Sequence, residues 1–187
     1  MPDFTPSAFI ANLARVCREN LLAEKWLLAP NRRVGNQWAE QVARSGQSAV
    51  NLRVTTLTGL ALRIAGARMS PSKRVLSSLG ARILIDSILA PDLVPGKERY
   101  LTRLLDGGRQ KSPGLVRLLA DAIEDLRMSG AGIEDLRRAG LEVPAKKREM
   151  EKLFGLYLAE LDRLSLTDRA GVFSAAIEEL LSGGGEI

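Results

Sequence analysis

Residues 26–64, WLLAPNRRVGNQWAEQVARSGQSAVNLRVTTLTGLALRI, decide the fold that the sequence predicts. The stretch holds two short apolar runs, each followed by a polar turn and then by a segment with helical spacing. This order predicts strand, loop, helix, strand, loop, helix, which is typical of parallel α/β sheets. In such sheets the ligand crevice lies outside the carboxyl ends of the strands. The two polar turns are therefore the first candidates for a site.

Local signals set the limits of these elements. The first predicted strand ends at Pro30, and Asn31 is placed to cap a helix that Gly46 stops. Residues 51–55 alternate apolar and polar side chains, which predicts a second strand, and helical spacing resumes over residues 56–65. The sequence thus predicts a partial parallel sheet of two or three strands.

The remainder of the chain has the sequence signals of helix starts and of buried helix faces. Proline occupies positions that suit a first helical turn at Ser70-Pro71, Ser112-Pro113 and Val143-Pro144. Two apolar stripes at helical spacing predict buried helix faces. They consist of Leu115, Leu118, Leu119, Ala122, Ile123 and Leu126, and of Met150, Leu153, Phe154, Tyr157, Leu161 and Leu164. We expect a helix-rich α/β chain with a partial α/β core over residues 1–69 and a helical subdomain over residues 70–187.

A final helix is predicted near the end of the chain. Thr167 is its expected N-cap. Its expected buried side consists of Phe173, Ile177, Leu180 and Leu181. A run of three glycines follows this helix directly, which is an unusual place for a complete protein to stop. We expect the chain to be part of a longer protein.

Composition restricts the chemistry that this chain can perform. Histidine is absent from all 187 residues, which removes serine–histidine and cysteine–histidine catalysis together with most zinc and non-haem iron sites. The single Cys17 rules out an internal disulfide and, without a secretory leader pattern, indicates a cytoplasmic protein. No apolar stretch approaches the roughly 20 residues that a membrane span needs. We expect no membrane partner.

The charge of the chain favours a polyanionic partner. It carries 27 Lys and Arg residues against 22 Asp and Glu residues, a formal net charge of +5, and its isoelectric point is about 9.7. The excess is carried largely by arginine, whose planar guanidinium pairs with phosphate bidentately. Many soluble domains carry a similar charge without such a partner, so charge alone leaves both interpretations open.

Motifs for nucleotide and metal chemistry are missing. Gly96-Lys97 is the only Gly-Lys pair and lacks the rest of a phosphate-binding loop, and no GxGxxG occurs. A PD-(D/E)xK nuclease centre needs carboxylates and a nearby lysine. Pro2-Asp3 and Pro91-Asp92 supply its first half, but no lysine has an acidic residue two positions before it. We therefore expect no catalytic residue, metal site or cofactor in this chain.

The turns after the two predicted strands carry the candidate binding residues. Asn31, Arg32 and Arg33 lie where a helix begins, so guanidinium and backbone N–H groups converge on a possible phosphate position. The turn after the second strand offers hydroxyl and N–H groups from Thr55, Thr56 and Thr58. Such groups position a nucleic-acid backbone without selecting its sequence. The structural alternative is a solvated arginine turn and threonines that only cap the next helix.

These same residues carry a resemblance to a known family. KWLLAPNRRVGNQWAEQVAR and NLRVTTLTGLALRIA resemble the first RecA-like domain of superfamily 1 helicases, and more closely the N-terminal region of AddB/RexB-like helicase–exonuclease subunits. Residues 30–33 correspond to helicase motif Ia, and residues 54–61 to the next DNA-contacting motif. SPGLVRLLADAIEDLRMSG and LTDRAGVFSAAIEEL are similar to the helical insertion of the same proteins.

The resemblance implies a partial RecA-like, P-loop NTPase-like sheet with a helical insertion. It also implies a role in processing double-strand DNA ends for repair, with a helicase–nuclease partner subunit or missing C-terminal domains. The parent protein would be an ATP-dependent, Mg²⁺-using exonuclease or helicase-type hydrolase that ends in a nuclease domain. This chain lacks a Walker A loop and an acidic helicase motif. We therefore expect a non-catalytic module that contacts DNA.

Two other functions remain open. A protein–protein docking module would recruit a partner subunit through the helical part and would use its positive charge only for solvation. Such a module predicts an exposed apolar patch and no oligonucleotide binding. An independent enzyme has no motif in its favour, and nucleotide-dependent thermal stabilisation would be its signature.

Overall fold

The computed structural model describes residues 7–66, 68–70, 72–90, 93, 99–103, 105 and 111–183. Contacts divide the chain into two compact units, Met1–Arg63 and Ile64–Ile187, so the observed division falls a few residues before the predicted boundary after residue 69. Helices and strands follow in the order α1 (Ala8–Glu19), β1 (Lys25–Leu28), α2 (Arg32–Arg44), β2 (Leu52–Thr55), α3 (Leu57–Ala65), β3 (Arg74–Val75), α4 (Ser78–Ile88), α5 (Pro113–Met128), α6 (Ile133–Arg138), α7 (Pro144–Arg163), β4 (Leu166–Thr167) and α8 (Arg169–Leu181).

The first unit contains a parallel two-stranded sheet. β1 and β2 pair in register from Lys25 opposite Leu52 to Leu28 opposite Thr55. The ladder continues one residue further, because the N–H of Ala29 donates to the carbonyl of Thr55 at 2.9 Å. The strand order and direction predicted from residues 26–64 are confirmed. In the described residues the sheet has these two strands and no third.

A small core joins α1 to α2 beneath this sheet. Ile10, Cys17 and Val42 are almost completely buried, and Trp38 packs around them. The ring of Phe9 lies 4.8 Å from that of Trp38, centroid to centroid. The thiol of the lone cysteine is therefore a packing group of this core.

Glycine lets α2 approach the sheet closely. A Cβ at Gly35 would lie 2.3 Å from Cγ1 of Val54 and 2.9 Å from Cβ of Ala29. On the other face of the sheet, a Cβ at Gly59 would lie 2.6 Å from Oγ1 of Thr55. Because side chains alternate between the faces of a strand, α2 and α3 lie on opposite faces of β2.

The second unit is a helical assembly around one apolar core. Its members come mainly from α4, α5 and α7 and include Leu84, Ile85, Val116, Leu119, Ile123, Leu153, Phe154 and Tyr157. Pro113 and Pro144 are the first residues of α5 and α7, as predicted. Pro71 lies outside the described residues, and the helix after it begins at Ser78 with Ser77 as N-cap. The helix-rich α/β class is confirmed.

The second unit also contains a parallel strand pair that the sequence did not predict. β3 and β4 pair from Arg74 opposite Leu166 to Val75 opposite Thr167. The expectation that Thr167 caps the last helix is wrong, since Thr167 belongs to β4 and Asp168 is the N-cap of α8. Two residues of strand are too few for alternation to show in a sequence.

Two predicted helix faces are also corrected. Leu118, assigned to the buried stripe of α5, is 62% exposed, and Val116 and Ala120 are buried instead. In α8, the expected buried residues Ile177, Leu180 and Leu181 are exposed, and the residues that are buried are Ala170, Val172 and Ala176. Small side chains permit a closer approach to neighbouring elements than the larger apolar ones would.

Candidate functional site

β1 and β2 end at the same end of the sheet, so the two predicted turns that follow them lie side by side there. The strands are parallel and in register, and Leu28 lies opposite Thr55 at their last pair. The turn that begins at Pro30 and the turn that begins at Thr56 therefore leave the sheet side by side. Both turns thus lie at the carboxyl end of the sheet, as the predicted parallel pairing requires.

The first turn is ordered by a helix cap. Oδ1 of Asn31 accepts a hydrogen bond from the N–H of Val34 at 2.9 Å, so Asn31 caps α2 as predicted. Arg32 and Arg33 are the first two residues of the helix, and both are exposed. The positive end of the helix dipole lies at the same place. This arrangement concentrates positive charge at the edge of the sheet.

The threonines of the second turn are partly engaged in local structure. Oγ1 of Thr56 accepts a hydrogen bond from the N–H of Gly59 at 3.1 Å. Thr56 therefore caps the start of α3, which is the role expected if these threonines bind no ligand. Thr55 is buried, and its hydroxyl donates to the carbonyl of Thr56 at 3.4 Å. Thr58 is half-buried in the first turn of α3. The arginines are thus more accessible to a ligand than the threonines.

The charge of the chain is concentrated in the unit that holds these turns. Residues 1–63 contain eight Lys and Arg residues but four Asp and Glu residues, so they carry four of the five excess positive charges. Three carboxylates pair with Arg15, Arg44 and Arg53, from Glu19, Glu40 and Glu24 respectively. Arg32 and Arg33 have no ion pair or hydrogen bond to a side chain within the described residues. Their charges are available to an anion.

A cleft of about 650 Å³ lies beside Arg32, along the side of β2 that faces away from β1. Its lining residues belong to α2, β2 and α3, together with Trp26 of β1. The lining residues that bear on ligand binding are Trp26, Arg32, Asn36, Arg53, Thr55 and Arg63. Trp26 and Arg63 belong to none of the motifs that predict the site from sequence. Strand alternation was the available signal, since it places Trp26 and Arg53 on one face of the sheet.

Arg63 lies across the ring of Trp26. Its Cζ is 4.8 Å from the centroid of the indole, within the range of a cation–π contact. Arg53, by contrast, forms an ion pair with Glu24. The cleft therefore holds one neutralised arginine and two that have no described carboxylate partner, Arg32 and Arg63.

The described residues contain no group of three or more His, Cys, Asp or Glu side chains that could hold a metal ion. Of the helices in that part of the chain, none is both long enough and apolar enough to cross a bilayer.

Compared with known protein families, the chain matches no family model, and it has no significant match among curated proteins. The geometry at the carboxyl ends of β1 and β2 is therefore the basis for assigning a function.

Proposed function

We propose that this chain is a non-catalytic, partial RecA-like module of a helicase–nuclease-like DNA repair protein, and that the turns after β1 and β2 contact the backbone of single-stranded DNA. One observation carries the proposal. Arg32 and Arg33 have no carboxylate partner in the described residues and lie at the start of a helix, on the edge where two parallel strands end. Phosphate is the ligand that such an edge attracts.

Each turn has its own part in this contact. Arg32 and Arg33 each offer a guanidinium fork to a phosphate, and the free N–H groups of the first turn of α2 add to the attraction. Asn31 orders that turn as its cap. The side chains of Thr55, Thr56 and Thr58 line the second turn, of which Thr58 has the hydroxyl least involved in local hydrogen bonds. Binding of this kind does not select a base sequence.

Hydrolysis and strand unwinding belong to other parts of the proposed parent protein. The sequence has no phosphate-binding loop, and the described residues have no carboxylate cluster suited to Mg²⁺. The proposed role of this chain is therefore to guide DNA ends and to support a partner subunit. The helix-rich second unit is the part that would contact that subunit.

Fluorescence anisotropy with a labelled dT oligonucleotide tests the proposal. The wild-type chain should bind with a log affinity that falls linearly with log salt, by about 0.7 for each phosphate contact. The Arg32→Gln/Arg33→Gln variant should reduce that slope by about 1.4, because two contacts are lost. Arg15→Gln/Arg44→Gln is the matched control, since it removes the same charge from arginines that already pair with glutamates.

The control separates a site from general attraction. Equal losses in the two double variants would show that DNA responds only to net charge. Salt-insensitive binding, or no binding by the wild-type chain at low salt, would contradict the proposal outright.

A docking module without DNA contact is the second candidate, and one surface favours it. Leu79 and Ile83 of α4 are 66% and 62% exposed and line a groove of about 620 Å³ with residues of α5. Apolar side chains so exposed on one groove are characteristic of a protein-binding surface. This candidate predicts that the wild-type chain does not bind the oligonucleotide, and that Leu79→Ser/Ile83→Ser reduces the binding of an apolar dye.

A further inference from the structure

The cleft along β2 has a feature that the two turns do not explain. Its position is set by the sheet, in which β2 pairs with β1 on one side and with no described strand on the other. α2 and α3 flank this free edge, one on each face of the sheet. The cleft therefore forms a channel, which begins at the two turns and continues along β2.

The two walls of the channel each present one arginine without a described carboxylate partner. Arg32 lies in the first turn of α2, and Arg63 lies near the end of α3. The residues between them on the walls are small or neutral, such as Ala39 and Gly59. Anionic groups that follow one another along the channel therefore meet a cation at each end.

The contact with Trp26 leaves the N–H donors of Arg63 free to bind an anion. A guanidinium that lies over an indole uses its flat face for that contact and keeps the N–H donors at its edge free. Arg63 is exposed, and it makes no described side-chain hydrogen bond. Since the contact with Trp26 restricts the movement of the Arg63 side chain, less conformational entropy is lost when a phosphate binds.

The floor of the channel adds backbone groups. The carbonyls of Asn51 and Thr55 accept hydrogen bonds from Lys25 and Ala29 of the β1 side. Residues of a strand direct their N–H and C=O groups alternately to its two edges, so Val54 directs its groups towards the cleft. An N–H on the floor is a further donor for a phosphate oxygen.

We infer that the Trp26–Arg63 pair is a phosphate-binding site, and that a nucleic-acid strand held at the two turns continues through this cleft along the free edge of β2. The inference rests on the proposed function and adds Trp26 and Arg63 to the DNA-binding residues predicted from the sequence. The ligand is the phosphodiester backbone of the same single strand. An acidic extended peptide is the competing occupant, and it is separated by the test below.

The test measures the salt dependence of dT binding by three single variants. Arg63→Gln should weaken binding and lower the slope of log affinity against log salt by about 0.7, the value of one phosphate contact. Arg63→Lys keeps the charge but loses the stacked fork, so it should bind with intermediate affinity. Arg18→Gln is the matched control, because Arg18 is an exposed arginine with no described ion pair in the last turn of α1, away from the cleft.

The outcomes distinguish this inference from the proposed function. If the wild-type chain does not bind the oligonucleotide, both fail. If Arg32→Gln/Arg33→Gln weakens binding while Arg63→Gln and Arg18→Gln have equal slopes, the turns bind DNA and the cleft inference is overturned. A glutamate decamer that displaces the oligonucleotide from the wild-type chain, but not from Arg63→Gln, would assign the cleft to acidic peptides and overturn it as well.

Discussion

The guanidinium of Arg127 and the carboxylate of Asp168 form a two-point ion pair between the end of α5 and the start of α8. Nε of Arg127 lies 2.6 Å from Oδ2, and Nη2 lies 2.8 Å from Oδ1. The same carboxylate accepts the N–H of Gly171 at 2.8 Å and faces the hydroxyl of Tyr157 at 3.3 Å. Asp168 thus caps one helix and fastens it to another. Its neutral form would weaken both contacts.

This arrangement makes the second unit sensitive to acid. Burial disfavours the charged form of Asp168, but the hydrogen bonds from Arg127 and Gly171 outweigh it and hold the pKa of the carboxyl below its ordinary value. The unfolded chain has an ordinary Asp pKa, about 3.9. A lowered pKa in the folded state contributes stability above that value, and the contribution is lost as the pH falls through the folded-state pKa.

Asp168→Asn should lower the free energy of unfolding at pH 7 by about 2 kcal/mol, because it keeps the cap but removes the charge that Arg127 faces. Urea denaturation from pH 7 to pH 2 is the measurement. The difference from the wild-type chain should shrink below about pH 4. Asp121→Asn, an exposed carboxylate 4.0 Å from Arg82, is the control and should show a small difference at every pH. A difference for Asp168→Asn that does not change with pH would contradict the assignment.

Glu149 organises another part of the same unit. Its carboxylate is completely buried and accepts backbone N–H groups from Tyr100, Leu101 and Thr102 at 3.1, 2.5 and 3.3 Å. The hydroxyl of Thr102 donates to it at 2.6 Å. The side chain therefore fixes residues 100–102 to α7. A neutral amide of the same shape has one acceptor oxygen where the carboxylate has two.

Glu149→Gln should destabilise the chain by about 1–3 kcal/mol, and Glu149→Ala by more, because buried N–H groups are left without an acceptor. Hydrogen exchange of the amides of residues 100–102 gives the local readout, with urea denaturation as the global one. Glu151→Gln on the same helix is the control, since its carboxylate is partly exposed. Unchanged exchange at Leu101 in the alanine variant would show that Glu149 does not hold this segment.

The strands and turns of the first unit could be predicted from sequence because each is marked by a local signal. Pro30 ends a short apolar run, Asn31 caps the helix that follows, and Gly46 ends it with a φ of 81°. Parallel pairing then follows from the helical connection between the strands. The position of the turns at one edge is a consequence of these local signals.

Contacts between distant residues could not be predicted in this way. Nothing in the sequence marks Arg127 as the partner of Asp168, which lies 41 residues further on. In α8, apolar residues occupy more than one face, and periodicity alone favoured the face of Ile177 and Leu180 over the small face of Ala170 and Ala176. The stacking of Arg63 on Trp26 likewise depends on where α3 crosses the sheet.

The cap of α2 allows stability and binding to be changed separately. Asn31→Asp keeps an oxygen for the N–H of Val34, and aspartate is as good an N-cap as asparagine. A negative charge at the start of a helix is also favourable, by about 0.3–1 kcal/mol. The variant should therefore be at least as stable as the wild-type chain. Its carboxylate, however, repels a phosphate bound at Arg32 and Arg33.

Asn31→Asp should weaken oligonucleotide binding about fivefold, the effect of about 1 kcal/mol between unit charges about 4 Å apart in water. Asn31→Ala should have the opposite profile, with about 1 kcal/mol of lost stability because the cap is removed, and little direct effect on binding since no charge changes. Thermal unfolding and anisotropy at one low salt concentration measure both properties. A DNA affinity that follows stability across the two variants would mean that Asn31 affects binding only through the fold, and the phosphate would then not lie at the start of α2.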